Sequence, residues 1–151
     1  MTLSLAYIFK QQQLLVDEHY QLPQVESVAS DLYIGTGDQV IARDLLDEEP
    51  IPEGLQLIPI RQLLQLWNIK QFEQASRAIQ LLEWRRNHKF CSHCGQKTEV
   101  HTREYAMVCP ACGYHQYPRV NPCVITVITR GQDEVLLAKS ARNKNSEMYG
   151  L

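Results

Sequence analysis

Apolar positions in the first third of the chain come in short alternating or continuous runs, the pattern of strands and not of helices. The runs are Leu3-Ser4-Leu5-Ala6-Tyr7-Ile8-Phe9, Gln13-Leu14-Leu15-Val16, Leu32-Tyr33-Ile34 and Val40-Ile41-Ala42, the last preceded by Gly35-Thr36-Gly37-Asp38. They predict a small antiparallel sheet. Gly35-Thr36-Gly37 has no third glycine and no helical pattern behind it, so it reads as a β-turn and not as a pyrophosphate-binding loop. Asp47-Glu48-Glu49-Pro50-Ile51-Pro52-Glu53-Gly54 is a loop, because two prolines and a glycine interrupt it. A last short strand follows at Leu55-Gln56-Leu57-Ile58.

The period then changes to that of a helix. Ile60, Leu63, Leu64 and Trp67 fall on one face and predict a short amphipathic helix. Phe72, Ala75, Ile79 and Leu82 predict a second, which ends in Arg85-Arg86-Asn87-His88-Lys89, a basic run suited to the negative end of the helix dipole. From Phe90 to Tyr117 periodicity is lost in favour of Cys, Gly, His and aromatics, which marks a separate small module. Beyond Pro118 and Pro122, Cys123-Val124-Ile125-Thr126-Val127-Ile128-Thr129 reads as a strand, Gly131-Gln132-Asp133 as a turn, and Glu134-Val135-Leu136-Leu137-Ala138-Lys139 as the returning strand. A lone hairpin is marginal in water, so it either packs on the preceding modules or needs the rest of a domain.

Composition narrows the class. With 44% hydrophobic and 21% charged residues in 151, the chain is an ordinary water-soluble globular one and not a disordered or fibrous one. No window approaches the roughly 18 consecutive apolar residues of a membrane span, and Met1 to Lys10 lacks the basic start of a signal peptide. No membrane association and a cytoplasmic location are expected. The net charge of −2 hides an uneven distribution: residues 1–83 hold five basic and twelve acidic groups, residues 84–119 hold six and two, and the rest four and three. The basic middle is either a solvated face or a surface for an anionic ligand.

All five cysteines lie after residue 90, which is not how a secreted disulfide scaffold spreads its bridges. Cys91-Ser92-His93-Cys94 and Cys109-Pro110-Ala111-Cys112 are two C-x-x-C pairs separated by 14 residues, and each is followed by a glycine. Two such knuckles favour a tetrahedral Zn²⁺ site over a pair of redox centres, and four protein ligands make that zinc structural. Cys123 begins an apolar strand and is expected to be a buried, inert thiol. His88, His93, His101 and His115 show no ligand spacing and are expected at the polar surface. Tyr117, held before Pro118, is either a stacking surface for a flat base or a plug between modules, and Glu104 has no partner evident in sequence. No G-x-S-x-G, P-loop or H-E-x-x-H pattern occurs.

One family joins these features. The helix end W-R-R-N-H-K-F, the knuckle C-S-H-C-G, the run R-E-Y-A-M-V-C-P-A-C-G, then Y-P-R-V-N-P and C-V-I-T-V-I-T resemble the front part of the NADH pyrophosphatase subfamily of Nudix hydrolases. The likeness is close over residues 84–151; before that it rests on layout and on Pro59-Ile60-Arg61-Gln62. The resemblance implies an α+β chain: a small antiparallel-sheet domain with two helices (1–86), a rubredoxin-like zinc ribbon (87–119), and the first β-hairpin of a Nudix α/β/α fold (120–151). It implies zinc on Cys91, Cys94, Cys109 and Cys112, and substrate contacts at Arg61, Glu104 and Tyr117. A basic position expected just after Leu22-Pro23 is Gln24 here.

The implied enzyme is a homodimer that cleaves the pyrophosphate of NADH or NAD⁺ to nicotinamide mononucleotide and AMP, and it also removes NAD caps from RNA. Its Mg²⁺ or Mn²⁺ is held by the glutamates of the Nudix box, G-x5-E-x7-R-E-x-x-E-E-x-G, and that pattern is absent from the 151 residues. The chain is therefore expected to be truncated before the box and inactive by itself. The alternative is a non-catalytic zinc-ribbon module that binds nucleic acid through Arg85, Arg86, Lys89 and Arg119.

Overall fold

The computed structural model of the chain describes residues 3–34, 40–63, 65–139, 141–142 and 149–150. The expected turn at Gly35-Thr36-Gly37, and Leu64 of the first helix, lie outside them. Leu3–Lys10 (β1) and Gln13–Asp17 (β2) form an antiparallel hairpin. Its turn uses Gln11 at a φ of 56°, in the left-handed region. Gln24–Glu26 (β3) pairs with the first residues of β1, Leu32–Tyr33 (β4) with Val40–Asp44 (β5), and Leu55–Pro59 (β6) with β2. The sheet order is β4-β5-β1-β2-β6, with β3 beside β1.

The sheet is mixed, which corrects the antiparallel expectation: β5 runs parallel to β1, from Leu5↔Val40 to Phe9↔Asp44. Alternation of apolar residues marks a strand but carries no direction. The segment between β2 and β5 is long enough for the crossover that a parallel pair requires.

Strand β1 is buried on both faces, which explains its continuous apolar run. Tyr7 and Phe9 join Leu14, Val16, Ile79 and Leu82 in the larger core, whereas Ala6 and Ile8 join Leu15, Ile41 and Leu45 in a smaller one. Each fully buried large side chain contributes about 1.5–3 kcal/mol. The helix over the larger core is Ile69–Asn87 (α2; the preceding turn is α1, below), which buries Ala75, Ala78, Ile79, Leu81 and Leu82. Its start is a capping box: the Asn68 side chain accepts from the Gln71 N–H at 3.0 Å, and the Asn68 N–H donates to the Gln71 side chain at 3.3 Å. At its other end Arg86 pairs with Asp44 of β5 and Arg85 donates to the Ser30 carbonyl, which ties the helix to the sheet.

The first helix is shorter than its periodicity predicts. Among the described residues of this stretch, Ile60–Leu63 (α1) are helical and 65–67 are in a turn or bend. Asn68 takes extended backbone, with ψ 161°, to cap α2, so the chain must leave helical geometry before it. Trp67 still packs on the larger core, and its indole donates to the Tyr20 carbonyl at 2.9 Å.

Glu99–Val100 (β7), Met107–Val108 (β8) and His115–Gln116 (β9) form a three-stranded antiparallel meander. Tyr105 links it to the first sheet: its hydroxyl donates to the Tyr33 carbonyl at 2.6 Å, and Arg77 of α2 lies 5.6 Å over its ring. Residues 1–118 make one compact unit and residues 119–151 another.

Within the second unit, Thr129–Arg130 (β10) pairs with Glu134–Val135 (β11) across a turn in which Gly131 has a φ of 64°. The hairpin exists but is much shorter than expected, and residues 123–128 are not in a strand. Among the described residues the only backbone partner of this run is the Leu136 N–H, which donates to the Ile128 carbonyl at 2.9 Å, and Val124 is 86% exposed and Ile125 83%. With no strand paired along this run among the described residues, Cys123 is exposed and not buried as expected, its thiol 3.6 Å from the Asn121 carbonyl.

Candidate metal centre and the aromatic face beside it

Each C-x-x-C pair closes a tight backbone loop. The Gly95 N–H donates to the Cys91 carbonyl at 2.9 Å and the Gly113 N–H to the Cys109 carbonyl at 2.8 Å. Gly95 and Gly113 hold φ values of 75° and 73°, a conformation open to glycine at little cost. The loops face one another across β7 and β8, so the four sulfurs Cys91, Cys94, Cys109 and Cys112 lie within 4.8 Å of one another. Cys91 Sγ is 3.6 Å from Cys112 Sγ, and Cys94 Sγ is 3.4 Å from Cys109 Sγ. A tetrahedral zinc with Zn–S of about 2.3 Å places its sulfurs about 3.8 Å apart. The cluster therefore fits zinc, with Cys91 and Cys109 buried and Cys94 and Cys112 exposed.

The thiols do not share one acidity. Burial pushes Cys91 up, but backbone N–H groups of Cys94 and His93, with the Cys112 and Cys94 thiols, bring it down to about 6. At Cys112 the Tyr114 backbone favours the thiolate, yet burial and the other three thiols push it up to about 12. Without a cation the cluster favours one thiolate and keeps a proton at its neighbour. A divalent cation removes that competition and takes all four sulfurs as thiolates.

The histidines stay out of the cluster, as their spacing predicts. His93 is exposed and stacks on Tyr114, with ring centroids 5.9 Å apart. His101 Nδ1 accepts from the N–H groups of Arg103 and Glu104 at 3.2 and 3.1 Å. Those bonds hold the bend at residues 102–105, and β8 starts at Met107.

His101, His115 and Tyr117 form an aromatic row, with centroid separations of 5.8 and 6.3 Å. The row was legible in part, since His115 and Tyr117 are two apart and an extended chain places such residues on one face. At its end the Tyr117 hydroxyl donates to the Glu104 carboxylate at 3.0 Å. Two of the three expected substrate contacts thus meet on an exposed surface. Arg61 is exposed on α1 and makes no hydrogen bond or ion pair among the described residues. Gln24 lies on β3.

A four-thiolate ribbon joined to a mixed-sheet α+β domain defines a structural zinc-ribbon protein. Residues 86–117 match the family model for the NADH pyrophosphatase zinc ribbon domain. Proteins called NAD-capped RNA hydrolase NudC are similar over a longer stretch. That of Pseudomonas aeruginosa (strain LESB58) is 41% identical over 107 residues, 70% of this chain and 37% of its own length. That of Deinococcus radiodurans is 33% identical over 151 residues, 92% of this chain and 51% of its own. The chain is an NADH pyrophosphatase-type Nudix N-terminal region, and it spans about half or less of these curated relatives.

Among the described residues no helix is long and apolar enough to cross a membrane.

Proposed function

We propose that the chain is the N-terminal region of an NAD(H) diphosphatase, which hydrolyses the pyrophosphate of NADH or NAD⁺ to nicotinamide mononucleotide and AMP and removes NAD caps from RNA. The observation that carries this reading is the exposed Tyr117–Glu104 pair on a ribbon of NADH pyrophosphatase type. Tyr117 offers a face on which nicotinamide or adenine can stack, and Glu104 an acceptor for a ribose hydroxyl or the nicotinamide amide. Arg61 supplies a guanidinium for the phosphates. Residues 1–86 form the first domain, 87–119 the rubredoxin-like ribbon, and 120–151 begin a Nudix α/β/α domain whose sheet takes in the apolar run at 123–128. The working enzyme is a cytoplasmic homodimer.

Zinc, once held by Cys91, Cys94, Cys109 and Cys112, has a closed coordination sphere, so it braces the ribbon and leaves no position for substrate. Among the described residues this is the one group of three or more metal-binding side chains. They offer no carboxylate cluster for Mg²⁺ or Mn²⁺, and catalysis belongs with the glutamates of a Nudix box. The 151 residues alone are therefore inactive. AMP release from NADH with Mn²⁺ tests this, measured on the 151-residue chain and on the longest polypeptide read from the same gene. Turnover by the longer product alone supports the reading; turnover by the 151-residue chain, or by neither, overturns it.

A further inference from the structure

Glu104 reaches Tyr117 from residues 102–105, which lie in no strand. The His101 N–H closes this loop by donating to the Ala106 carbonyl at 2.9 Å, and inside it the Ala106 N–H donates to the Glu104 carbonyl at 2.8 Å. The N–H groups of Arg103 and Glu104 both donate to a single atom, His101 Nδ1, at 3.2 and 3.1 Å. Asp17 does the same work in the first sheet, where one carboxylate oxygen accepts from the N–H groups of His19 and Gln21. Asp and Asn are the usual acceptors in such turns. An imidazole differs from them in that its acceptor is a nitrogen lone pair, and histidine is the side chain that ordinarily takes up a proton between about pH 5 and 8.

The two histidines of the aromatic row answer a proton differently. His115 Nδ1 lies 2.8 Å from the Gly113 carbonyl, which can only accept, so Nδ1 carries hydrogen and a further proton goes to Nε2 and leaves that bond intact. His101 Nδ1 accepts only while it is unprotonated. A proton there removes both bonds at once and sets a positive N–H against two donor N–H groups. Few titratable or charged groups surround His101. The bend carries Arg103, Glu104 and Tyr105, and the Tyr105 hydroxyl is engaged by the Tyr33 carbonyl with Arg77 over its ring. From β9 comes His115, its ring centroid 5.8 Å away, with Tyr117 beyond it. Glu99 is two positions back on β7, and β8 offers only Met107 and Val108, which do not titrate.

We propose that His101 is a positioning residue: its neutral ring holds the bend that brings Glu104 to Tyr117, and protonation at Nδ1 releases Glu104 and weakens binding at the pair as pH falls. The response of the pair to the proton stands on this geometry; that it regulates dinucleotide binding rests on the functional reading above.

NMR of the zinc-loaded 151-residue chain tests this with two variants. His101→Phe keeps an aromatic ring beside His115 and removes the acceptor, whereas His101→Asn keeps an acceptor that does not titrate. Tyr117 should ionise closer to the ordinary tyrosine range in His101→Phe and as in the parent in His101→Asn. On acidification the amide signals of Arg103 and Glu104 should move in the parent with the same midpoint as the His101 ring, and should stay in place over that range in His101→Asn. In the longest polypeptide read from the gene, KM for NADH should rise on acidification about two- to tenfold more in the parent than in His101→Asn, the effect of one hydrogen bond, with kcat following pH alike in both. An unmoved Tyr117 in His101→Phe, amides that do not follow the His101 ring, or an acid transition that survives in His101→Asn and so belongs to another group would each overturn the proposal. Absence of NADH hydrolysis at every pH would overturn the functional reading instead, and the spectra of the 151-residue chain would still decide the positioning of Glu104.

Discussion

The Tyr117 hydroxyl donates to the Glu104 carboxylate at 3.0 Å, which joins the residue leaving β9 to the bend between β7 and β8. That bond holds Tyr117 in its neutral form: the hydrogen bond to Glu104 first, then burial and the carboxylate charge, raise its pKa above the usual 10.0. Because the folded value is the higher one, the bond's stabilisation is complete below the ordinary tyrosine pKa and fades as pH rises through the raised value. Glu104→Gln removes the charge while keeping an acceptor, so Tyr117 should ionise closer to the ordinary range. An NMR titration of the tyrosine ring carbons reads this, and an unmoved Tyr117 would mean the two residues do not meet in solution.

The sulfur geometry predicts one zinc per chain. Protein purified without added metal should contain it, and the metal–sulfur distance from X-ray absorption should be about 2.3 Å. Strong chelation, or Cys109→Ser at a fully buried ligand, should unfold the ribbon. Zinc binding supplies about 10–16 kcal/mol of apparent free energy to ribbon-sized modules, which short strands cannot replace. Amide spectra should then lose the signals of residues 90–117 and keep those of the first sheet. A zinc-free chain with a folded ribbon would contradict the prediction.

The capping box gives a purely structural prediction. Asn68→Ala leaves the Gln71 N–H in the first turn of α2 without its acceptor and should cost about 0.5–2 kcal/mol, whereas Asn68→Gly should cost only a few tenths. Denaturant unfolding separates the two. Equal stability of Asn68→Ala and the parent would show that the box does not hold the start of α2.

What was readable in the sequence divides along physical lines. Strands β1, β2, β4, β5 and β6 and helix α2 were visible because burial imposes its own period, and the cysteine cluster because metal geometry imposes spacing. The parallel course of β5 beside β1 was not visible, since side-chain alternation is blind to direction. Asn68 and Gln71 carry the N-x-x-Q signature of a cap, and noticing it would have ended the first helix before Trp67. Glu104 and Tyr117 belong together only through the fold, because thirteen positions and a hairpin separate them. Residues 123–128 show the opposite case: the apolar pattern is strong, and among the described residues no strand pairs along it.

The last prediction concerns what the Tyr117–Glu104 pair does in the longest polypeptide read from the gene. If Tyr117 stacks a base of the dinucleotide, Tyr117→Ala removes about 1–3 kcal/mol of stacking, and kcat/KM for NADH should fall roughly ten- to a hundredfold. Stacking is made to bound substrate and transition state alike, so the loss should appear mostly in KM. Glu104→Gln should also act on KM, by less, since the amide oxygen still accepts a hydrogen bond from a ribose hydroxyl. The measurement must be paired with zinc content and the ribbon's amide spectrum, because a merely structural role for Tyr117 would move those as well. Near-identical kcat/KM in the parent and both variants, with zinc intact, would assign the pair to packing and remove the observation on which the functional reading rests.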